Sequence, residues 1–123
     1  MPFLTKLEDR TIRKTFEGST SQMDAVVLDP GKIGIWTHLL DTVPSERARE
    51  GASEIEEMGL GTIWIPETAG RDPFVHSSFL LSSTKKIALA TGIASIYSRD
   101  AIAMASASRT LSEAFPNRFL LGV

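Results

Sequence analysis

The sequence predicts an α/β fold in which strands and helices alternate around a parallel sheet. From residue 32 onward, short apolar runs alternate with stretches whose apolar residues recur every three or four positions. This alternation is typical of βα units. One run, IALATGIA at 87–94, is apolar almost throughout, as expected for a strand buried on both faces of a parallel sheet. Together these observations predict about four parallel strands and three helices.

The first part of this fold consists of two strands with a helix between them. The strands are the runs KIGIW at 32–36 and TIWI at 62–65. The segment between them is predicted to be an amphipathic helix, because charged residues fill one face and apolar residues recur at helical spacing on the other. Those apolar residues are Ala48, Ala52, Ile55 and Met58. Pro44 suits the first turn of the helix, and Gly59 suits a left-handed exit.

A second helix and a third strand follow. Asp72 offers a capping carboxylate and Pro73 a ring preset for the first helical position, so the helix begins there. It runs toward Lys85, whose charge is favourable near the end of the helix dipole, and the run at 87–94 is the third strand. His76 lies in the first turns of this helix. Because no second histidine, cysteine or acidic cluster stands at ligand spacing, we interpret it as a surface or packing residue rather than a metal ligand.

A third helix and a fourth strand complete the alternation. Asp100 can cap the helix, and Pro116 ends it. The apolar residues of this helix repeat at helical spacing and are Met104, Ala107, Leu111, Ala114 and Phe115. The fourth strand is predicted to begin at Phe119 and to extend to Val123.

The composition is that of one globular domain, and it excludes several classes of function. Acidic and basic residues are interleaved and the net charge is −2, so no basic surface for nucleic acid is expected. The absence of cysteine excludes disulfides, thiolate catalysis and cysteine-based metal sites. No apolar run reaches the roughly 20 residues of a membrane span, and no signal peptide is recognisable. We therefore expect a cytoplasmic protein whose partner is a small-molecule substrate rather than nucleic acid or a membrane.

The N-terminal residues differ from the rest of the chain. Residues 1–23 are polar and rich in serine and threonine, with only a loose spacing of apolar residues. We interpret them as a disordered or weakly helical tail, and residues 24–123 as the folded domain. Met23 directly precedes the first convincing apolar segment, so a start at Met23 rather than Met1 is an alternative.

Several motifs along residues 25–123 are familiar as an ordered set. The stretch at 87–123, which begins IALATGIASIYSRD and ends FLLGV, resembles the third strand, third helix and fourth strand of luciferase-like monooxygenases. Within that family it is most similar to actinobacterial members that use the deazaflavin coenzyme F420. Upstream, GKIGIWT at 31–37, GLGTIWIPE at 59–67 and DPF at 72–74 fit the same family in the same order. Each motif alone is weak, but the ordered set makes the resemblance specific.

The resemblance implies the N-terminal half of a (β/α)8 TIM barrel. A full barrel has roughly 250 residues and eight βα units, and the motifs here correspond to the first four strands. The cofactor is then expected at the carboxyl ends of the strands, where TIM barrels place their active sites. The implied function is that of an oxidoreductase, with hydride transfer between F420, or alternatively FMN with oxygen, and a small organic substrate.

Two other functions stay open at this point. A half-barrel leaves unpaired edges at its first and fourth strands, so the chain could instead be a non-catalytic half-barrel, either the product of a truncated gene or a module that pairs with a second copy or with another chain. The same βα units could also form an open, doubly wound sheet of the flavodoxin kind, although no phosphate-binding loop is recognisable. No GxGxxG, P-loop, GxSxG or HExxH motif is present, so nucleophilic hydrolysis has no support.

The resemblance places candidate cofactor-binding residues after the third strand. Ser95–Ile96 corresponds to a non-prolyl cis peptide bond that supports the cofactor ring in many family members, with an ordinary trans loop as the alternative. Gly92 would permit close backbone approach to that ring, or it is a simple strand glycine. Arg99 precedes a helix N-terminus, where it could meet a cofactor phosphate. Alternatively, Arg99 pairs with Asp100 or Glu113.

Further candidates follow the first two strands. Trp36 and Thr37 end the first strand and are expected to flank the cofactor pocket, or else to be a core aromatic and a turn residue. Glu67 follows the second strand and is the candidate catalytic carboxylate. It could orient a polar group or, with a pKa raised by desolvation, transfer a proton; a solvated loop acid is the alternative. His38, in the first loop, is a further candidate proton donor.

Overall fold

A computed structural model of the 123-residue chain describes residues 33–68 and 70–123. The strands are Gly34–Trp36 (β1), Thr62–Ile65 (β2), Ala88–Thr91 (β3) and Phe119–Leu120 (β4). The helices are Leu39–Thr42 (α1), Ser45–Glu57 (α2), Pro73–Ser83 (α3) and Ala101–Ala114 (α4). The predicted tail at 1–23, the alternative start at Met23 and the first residue of the KIGIW run lie outside the described residues.

The strands form one parallel sheet in the order β1-β2-β3-β4. Each strand therefore pairs with its neighbours along the chain, and helices connect consecutive strands. This is the strand order of a barrel segment. In a flavodoxin-like sheet the second strand would lie outside the first, so that interpretation is wrong. The predicted α/β fold, with strands ordered as in part of a TIM barrel, is confirmed.

Local chemistry explains where the helices begin and end. Asp72 caps α3, because its Oδ1 accepts hydrogen bonds from two backbone N–H groups of the first turn. Asp100 caps α4 in the same way, through the Ala103 N–H at 2.8 Å. Gly59 follows α2 with φ +83°, a left-handed conformation that glycine adopts without steric cost. All three of these predictions are confirmed.

The structure corrects five details of the sequence prediction. The fourth strand covers only Phe119–Leu120 and does not extend to Val123. The sequence does not predict α1, because four residues are too few to show a helical period. Met58 is 73% exposed just beyond α2, so it does not belong to the buried face of that helix. Lys85 lies beyond α3 rather than in its last turn, which has no basic residue. The third strand covers only 88–91, since the apolar run continues into the following loop.

The core lies between the sheet and the helices that cover one of its faces. Ile63, Leu89 and Phe119 are in register across three strands, and all three are buried. They belong to one cluster with buried helix residues: Ala48 and Ala52 of α2, Leu80 and Leu81 of α3, and Met104 and Leu111 of α4. Full burial of a large aliphatic or aromatic side chain contributes roughly 1.5–3 kcal/mol. This cluster is therefore the main source of stability for the fold.

The other face of the sheet carries two tryptophans. Trp36 and Trp64 are paired in register on β1 and β2, and side chains alternate between the two faces along a strand. Trp64 lies close to Gly34, where an added Cβ would come within 3.2 Å of the indole Nε1. Trp36 is 57% exposed. This face is the one that turns inward in a closed barrel, because the helices cover the opposite one.

Polar contacts hold the amino ends of β3 and β4. The Glu56 carboxylate of α2 accepts hydrogen bonds from the three backbone N–H groups at 85–87. The Arg118 guanidinium, just before β4, donates to the Thr84 hydroxyl at 2.6 Å. It also donates to the carbonyl oxygens of Thr84 and Ile87. These contacts fix where the two strands enter the sheet, at the end opposite to the candidate site.

Candidate functional site

The carboxyl ends of the parallel strands meet at one end of the sheet, and a cleft of about 460 Å³ lies there. The loop after β3 supplies most of the lining, with one residue from the loop after β2 and one beyond β4. The lining residues are Glu67, Ile93, Ala94, Ser95, Ile96, Tyr97 and Val123. The volume is within the range of small-molecule sites, and active sites of TIM barrels occupy this end of the sheet. Three sequence candidates, Glu67, Ser95 and Ile96, therefore share one cleft.

Glu67 is paired with a cation rather than solvated. Its Oε1 accepts from Arg99 Nη2 at 2.6 Å, and its Oε2 accepts from Arg99 Nη1 at 2.7 Å and from the Ser95 N–H at 2.6 Å. Both charged side chains are only 12% exposed. The Arg99 hydrogen bonds hold the pKa of Glu67 below its usual value, against the opposing effect of burial. The structure thus contradicts the raised pKa that proton transfer needs, whereas an orienting role stays a prediction.

Arg99, in the loop before α4, joins three segments of the chain. Besides Glu67, its guanidinium donates to the Ser95 carbonyl at 3.2 Å and to Asp72 Oδ2 at 3.1 Å. It also lies over the Phe74 ring, 5.1 Å from the centroid. Hydrogen bonding to Glu67 raises the pKa of Arg99, so the guanidinium stays charged. Arg99 therefore links the loops after β2 and β3 to the start of α3.

The acidic partners that the sequence offered for Arg99 are wrong. Asp100 is used to cap α4, and Glu113 pairs with Arg109 one turn earlier on the same helix. Arg99 donates instead to Glu67, which lies in the loop after the neighbouring strand β2. The predicted contact of Arg99 with a cofactor phosphate stays a prediction, and its donors already bind two carboxylates.

The non-prolyl cis peptide bond is Gly92–Ile93, three residues before the predicted Ser95–Ile96, which is trans. The sequence located the right loop but the wrong bond. The cis bond falls where the chain leaves β3, at a residue whose missing side chain leaves room for two indoles. A Cβ on Gly92 would lie 3.4 Å from both Trp36 and Trp64. The Gly92 carbonyl accepts a hydrogen bond from Trp36 Nε1 at 2.8 Å.

The residues at the end of β1 have different surroundings. Trp36 is bound to Gly92 and leaves part of its indole exposed, so it is available to flank a ligand. Thr37 is buried, and its Oγ1 accepts from the Leu39 N–H at 3.1 Å, which is the geometry of a turn residue. His38 is exposed, with its ring centroid 6.2 Å from that of Trp36. The structure brings Trp36 and Gly92 into direct contact.

Four cleft residues were not singled out by the sequence analysis, and one of them, Ala94, is buried. Ile93, Tyr97 and Val123 all line the cleft, and all are exposed. Tyr97 follows the predicted third strand and could have been selected for that reason, whereas Ile93 and Val123 fell within the predicted strands and follow the strand ends only in the structure. Ser95 and Ile96 had been selected on another ground, the cis peptide bond that the family resemblance implied.

A polar cluster between α1 and α3 was also missed. Asp41 accepts hydrogen bonds from the Arg71 N–H at 2.8 Å and from the Thr68 hydroxyl at 3.1 Å. The Arg71 guanidinium donates to the carbonyl oxygens of Leu40 and Val43 at 2.6 Å. The loop after β2 is thereby fastened to α1. Nothing in the sequence spacing relates these two segments.

His76 lies beside this cluster and is a packing residue, as predicted. It is 2% exposed, and its ring is stacked on Phe79 with centroids 4.9 Å apart. Its Nδ1 lies 3.7 Å from Asp41 Oδ1. Burial, together with the charge of Arg71, lowers the pKa of His76 to about 4, although Asp41 opposes the shift.

The lining of the cleft suits an apolar group better than a charged one. Its walls are mostly apolar side chains, interrupted by the Glu67 carboxylate, and small-molecule sites are typically apolar with a few placed polar groups.

Among residues 33–68 and 70–123, no group of three or more histidine, cysteine or acidic side chains is arranged to hold a metal ion. Within that same part of the chain, no helix has both the length and the apolar character to cross a membrane.

Comparison with known families agrees with this geometry. A family model described as luciferase-like monooxygenase matches residues 23–123, a span that includes every described strand and every lining residue of the cleft. No curated protein matches the chain. Because the match covers well over half of the sequence, the chain belongs to the luciferase-like monooxygenase family.

Proposed function

We propose that this protein is an oxidoreductase that binds coenzyme F420 in the cleft, with FMN and oxygen as the alternative, and exchanges a hydride with a small organic substrate. Membership of the family implies an oxidoreductase or monooxygenase role. The observation that carries the proposal is the apolar cleft at the carboxyl ends of the strands. The resemblance of residues 87–123 to actinobacterial F420-dependent members favours F420 over FMN.

The side chains of the cleft have separate tasks in this proposal. Ile93, Ile96 and Tyr97 would hold the cofactor ring by apolar contact and exclude water from it, because their exposed side chains form the wall. When bound, the cofactor supplies the redox chemistry itself, as such cofactors do. Trp36 and Gly92 would support the wall from the side of β1, through the indole hydrogen bond.

Glu67 contributes charge and orientation in this proposal rather than a proton. Its carboxylate stays ionised because the Arg99 hydrogen bonds lower its pKa. The negative charge is offset by Arg99, so the cleft suits an uncharged ring. Ser95 contributes its backbone N–H, which Glu67 holds at 2.6 Å.

A fluorescence titration tests the proposal. The oligomeric state of the purified 123-residue chain is first determined by sedimentation. The chain is then titrated with F420 and, in a separate series, with FMN. We expect saturable micromolar binding to one of the two cofactors. Absence of binding to both, in a sample shown to be folded by circular dichroism, would contradict the proposal.

Two matched variants locate the binding. Ile96 lines the cleft, whereas Met58 follows α2 outside it, and both are exposed apolar residues. We expect Ile96→Glu to weaken cofactor binding by about tenfold or more, because it places a charge against an apolar ring. Met58→Glu should leave the affinity unchanged. Equal effects of the two variants would mean that the cofactor binds outside the cleft.

The sheet edges support a second proposal, which concerns partners. Among the strands that the structure describes, β1 and β4 each pair on one side only, and such edges favour pairing with further strands. We infer that a second copy of the chain, or another chain, adds strands there, and this is the basis of the alternative function as a non-catalytic assembly module. Sedimentation equilibrium tests the pairing with a second copy, since a monomer at all concentrations would contradict that form of the proposal. The cytoplasmic location expected from the sequence stays a prediction.

A further inference from the structure

We infer that Arg99 and Glu67 are positioning residues, which fix the wall of the cleft instead of acting on the reacting atoms. The inference rests on the proposed function, since it concerns the same cleft. The sequence had offered Arg99 for cofactor binding and Glu67 for catalysis. Their hydrogen bonds are directed mainly at each other and at the backbone of the loop that forms the wall.

The first step is the connection between two loops. The Glu67 carboxylate accepts from the Ser95 N–H, and the Glu67 N–H donates to the Ile93 carbonyl at 3.1 Å. The loop after β2 therefore binds the loop after β3 on both sides of Ala94. A displacement of Glu67 would release the backbone at both points.

The second step is the connection to a helix. Asp72 uses Oδ1 to cap α3 and Oδ2 to accept from Arg99 at 3.1 Å. Arg99 also binds both oxygens of Glu67 and the carbonyl of Ser95. Since α3 packs into the core, the guanidinium links the loop that forms the wall to a helix of the core.

The third step is the exposure of the side chains that form the wall. Ile96 is 59% exposed and Tyr97 is 94% exposed, so packing within the described residues does little to fix them. Both the N–H and the carbonyl of the adjacent Ser95 are held by the Glu67–Arg99 pair. The pair thus sets the position of the loop that carries these apolar side chains. Such preorganisation increases affinity, because it reduces the entropy cost of ordering the loop when a ligand binds.

Substitution of Arg99 separates geometry from charge. Lysine keeps the positive charge but cannot supply two parallel N–H donors to a carboxylate. We expect Arg99→Lys to weaken binding of F420, or of FMN if FMN is the cofactor that binds, by about tenfold. Arg109→Lys is the matched control, because Arg109 forms an exposed pair with Glu113 on α4, and it should leave the affinity unchanged.

A double-variant cycle shows whether the two residues act as one unit. Glu67→Gln alone should weaken binding to a similar extent as Arg99→Lys. The double variant should have the same affinity as the single variant that binds less tightly, because either substitution alone already breaks the Glu67–Arg99 pair. Fully multiplicative losses would overturn the inference. All titrations are made well below the unfolding temperature of each variant, so that a loss of folded protein does not imitate a loss of affinity.

Amide hydrogen exchange gives a readout without cofactor. In Arg99→Lys and Glu67→Gln, exchange of the Ser95 amide should accelerate at least about tenfold, since its acceptor is displaced. The Ala103 amide, held by Asp100, should be unaffected. If the wild-type chain binds neither cofactor while Ser95 exchange accelerates, the proposed function fails and the positioning of the loop is supported. An unchanged Ser95 exchange rate in both variants overturns the inference, whether or not a cofactor binds.

Discussion

His76 shows what burial does to a single titratable residue in this fold. Its Nε2 has no hydrogen-bond partner among the described residues, and its ring is almost fully buried against Phe79. Protonation would place a charge in this environment beside the Arg71 guanidinium, which is why the pKa is lowered to about 4. The folded protein therefore holds this imidazole in its neutral form near neutral pH.

The depressed pKa of His76 predicts a dependence of stability on pH. Between the value of about 4 in the folded chain and the ordinary 6.5, the unfolded chain binds more protons. The stabilisation is fully present above pH 6.5 and is lost as the pH falls toward 4, by up to about 3 kcal/mol. We expect His76→Phe, which keeps an aromatic ring against Phe79, to flatten this part of the curve of unfolding free energy against pH.

The free energy of unfolding of the wild type and of His76→Phe is measured by urea denaturation across this pH range. The carboxylates titrate in both proteins, so the difference between the two curves isolates the contribution of His76. Parallel curves would show that His76 titrates normally in the folded chain.

At the scale of elements, the junction of α2 with β3 depends on one carboxylate. Burial raises the pKa of Glu56, whereas the three backbone hydrogen bonds at 85–87 lower it. The lowering effects together are larger, so the pKa of Glu56 lies below its ordinary value. The charged form is thus the one that holds the entry of β3. Its contribution is present above the ordinary pKa of 4.5 and is lost as the pH falls through the lowered value.

Glu56→Gln tests this junction. At neutral pH we expect a loss of about 1–2 kcal/mol in unfolding free energy, because hydrogen bonds to a charged acceptor become bonds to a neutral one. The gap to the wild type should narrow as the pH falls from 4.5 toward the lowered pKa of Glu56, where the carboxylate of the folded chain becomes protonated. Glu57→Gln, at the adjacent exposed position, should change stability by less than about 0.5 kcal/mol. Equal losses in the two variants would contradict the anchoring role of Glu56.

The elements themselves were largely predictable, because each leaves a local signal. The caps at Asp72 and Asp100 and the exit at Gly59 depend on neighbouring residues, and all three are confirmed. The extra helix α1 has too few residues to show a period. The exposure of Met58 could not be predicted from spacing, since it lies on the apolar stripe of α2 but beyond the helix end.

The site was predictable only in part, for a different physical reason. Parallel strands bring their carboxyl ends together, so the positions of Glu67 and Ser95 near one cleft followed from the order of strands. The pairing of Glu67 with Arg99 joins residues 32 positions apart, and no local pattern specifies such a contact. The cis bond at Gly92–Ile93 likewise depends on where β3 ends against the two indoles.

At the scale of the whole molecule, the distribution of charge around the cleft predicts which part of the cofactor is recognised. No lysine or arginine lines the cleft among the residues that the structure describes, and Arg99 is bound to Glu67 and Asp72. If the proposed function holds, the described part of the site recognises the ring rather than the phosphate.

A comparison of FMN with riboflavin tests this prediction, because the two differ only in the phosphate. We expect dissociation constants within about threefold of each other and little dependence on salt, since no phosphate contact is made. The measurement is the same fluorescence titration at low and moderate ionic strength. A tenfold or greater preference for FMN that disappears in salt would reveal a cation that contacts the phosphate.

The strand order β1-β2-β3-β4 has a further consequence for how the protein acquires its structure. Each strand pairs with its chain neighbours, and the side-chain contacts between adjacent loops join residues about 30 positions apart, as in Ser95 with Glu67 or Arg71 with Asp41. Parallel pairing across such separations carries a loop-closure cost, so this sheet is expected to fold more slowly than a helical bundle of the same length. During synthesis, each βα unit can dock on the one made just before it, so assembly can follow the direction of translation.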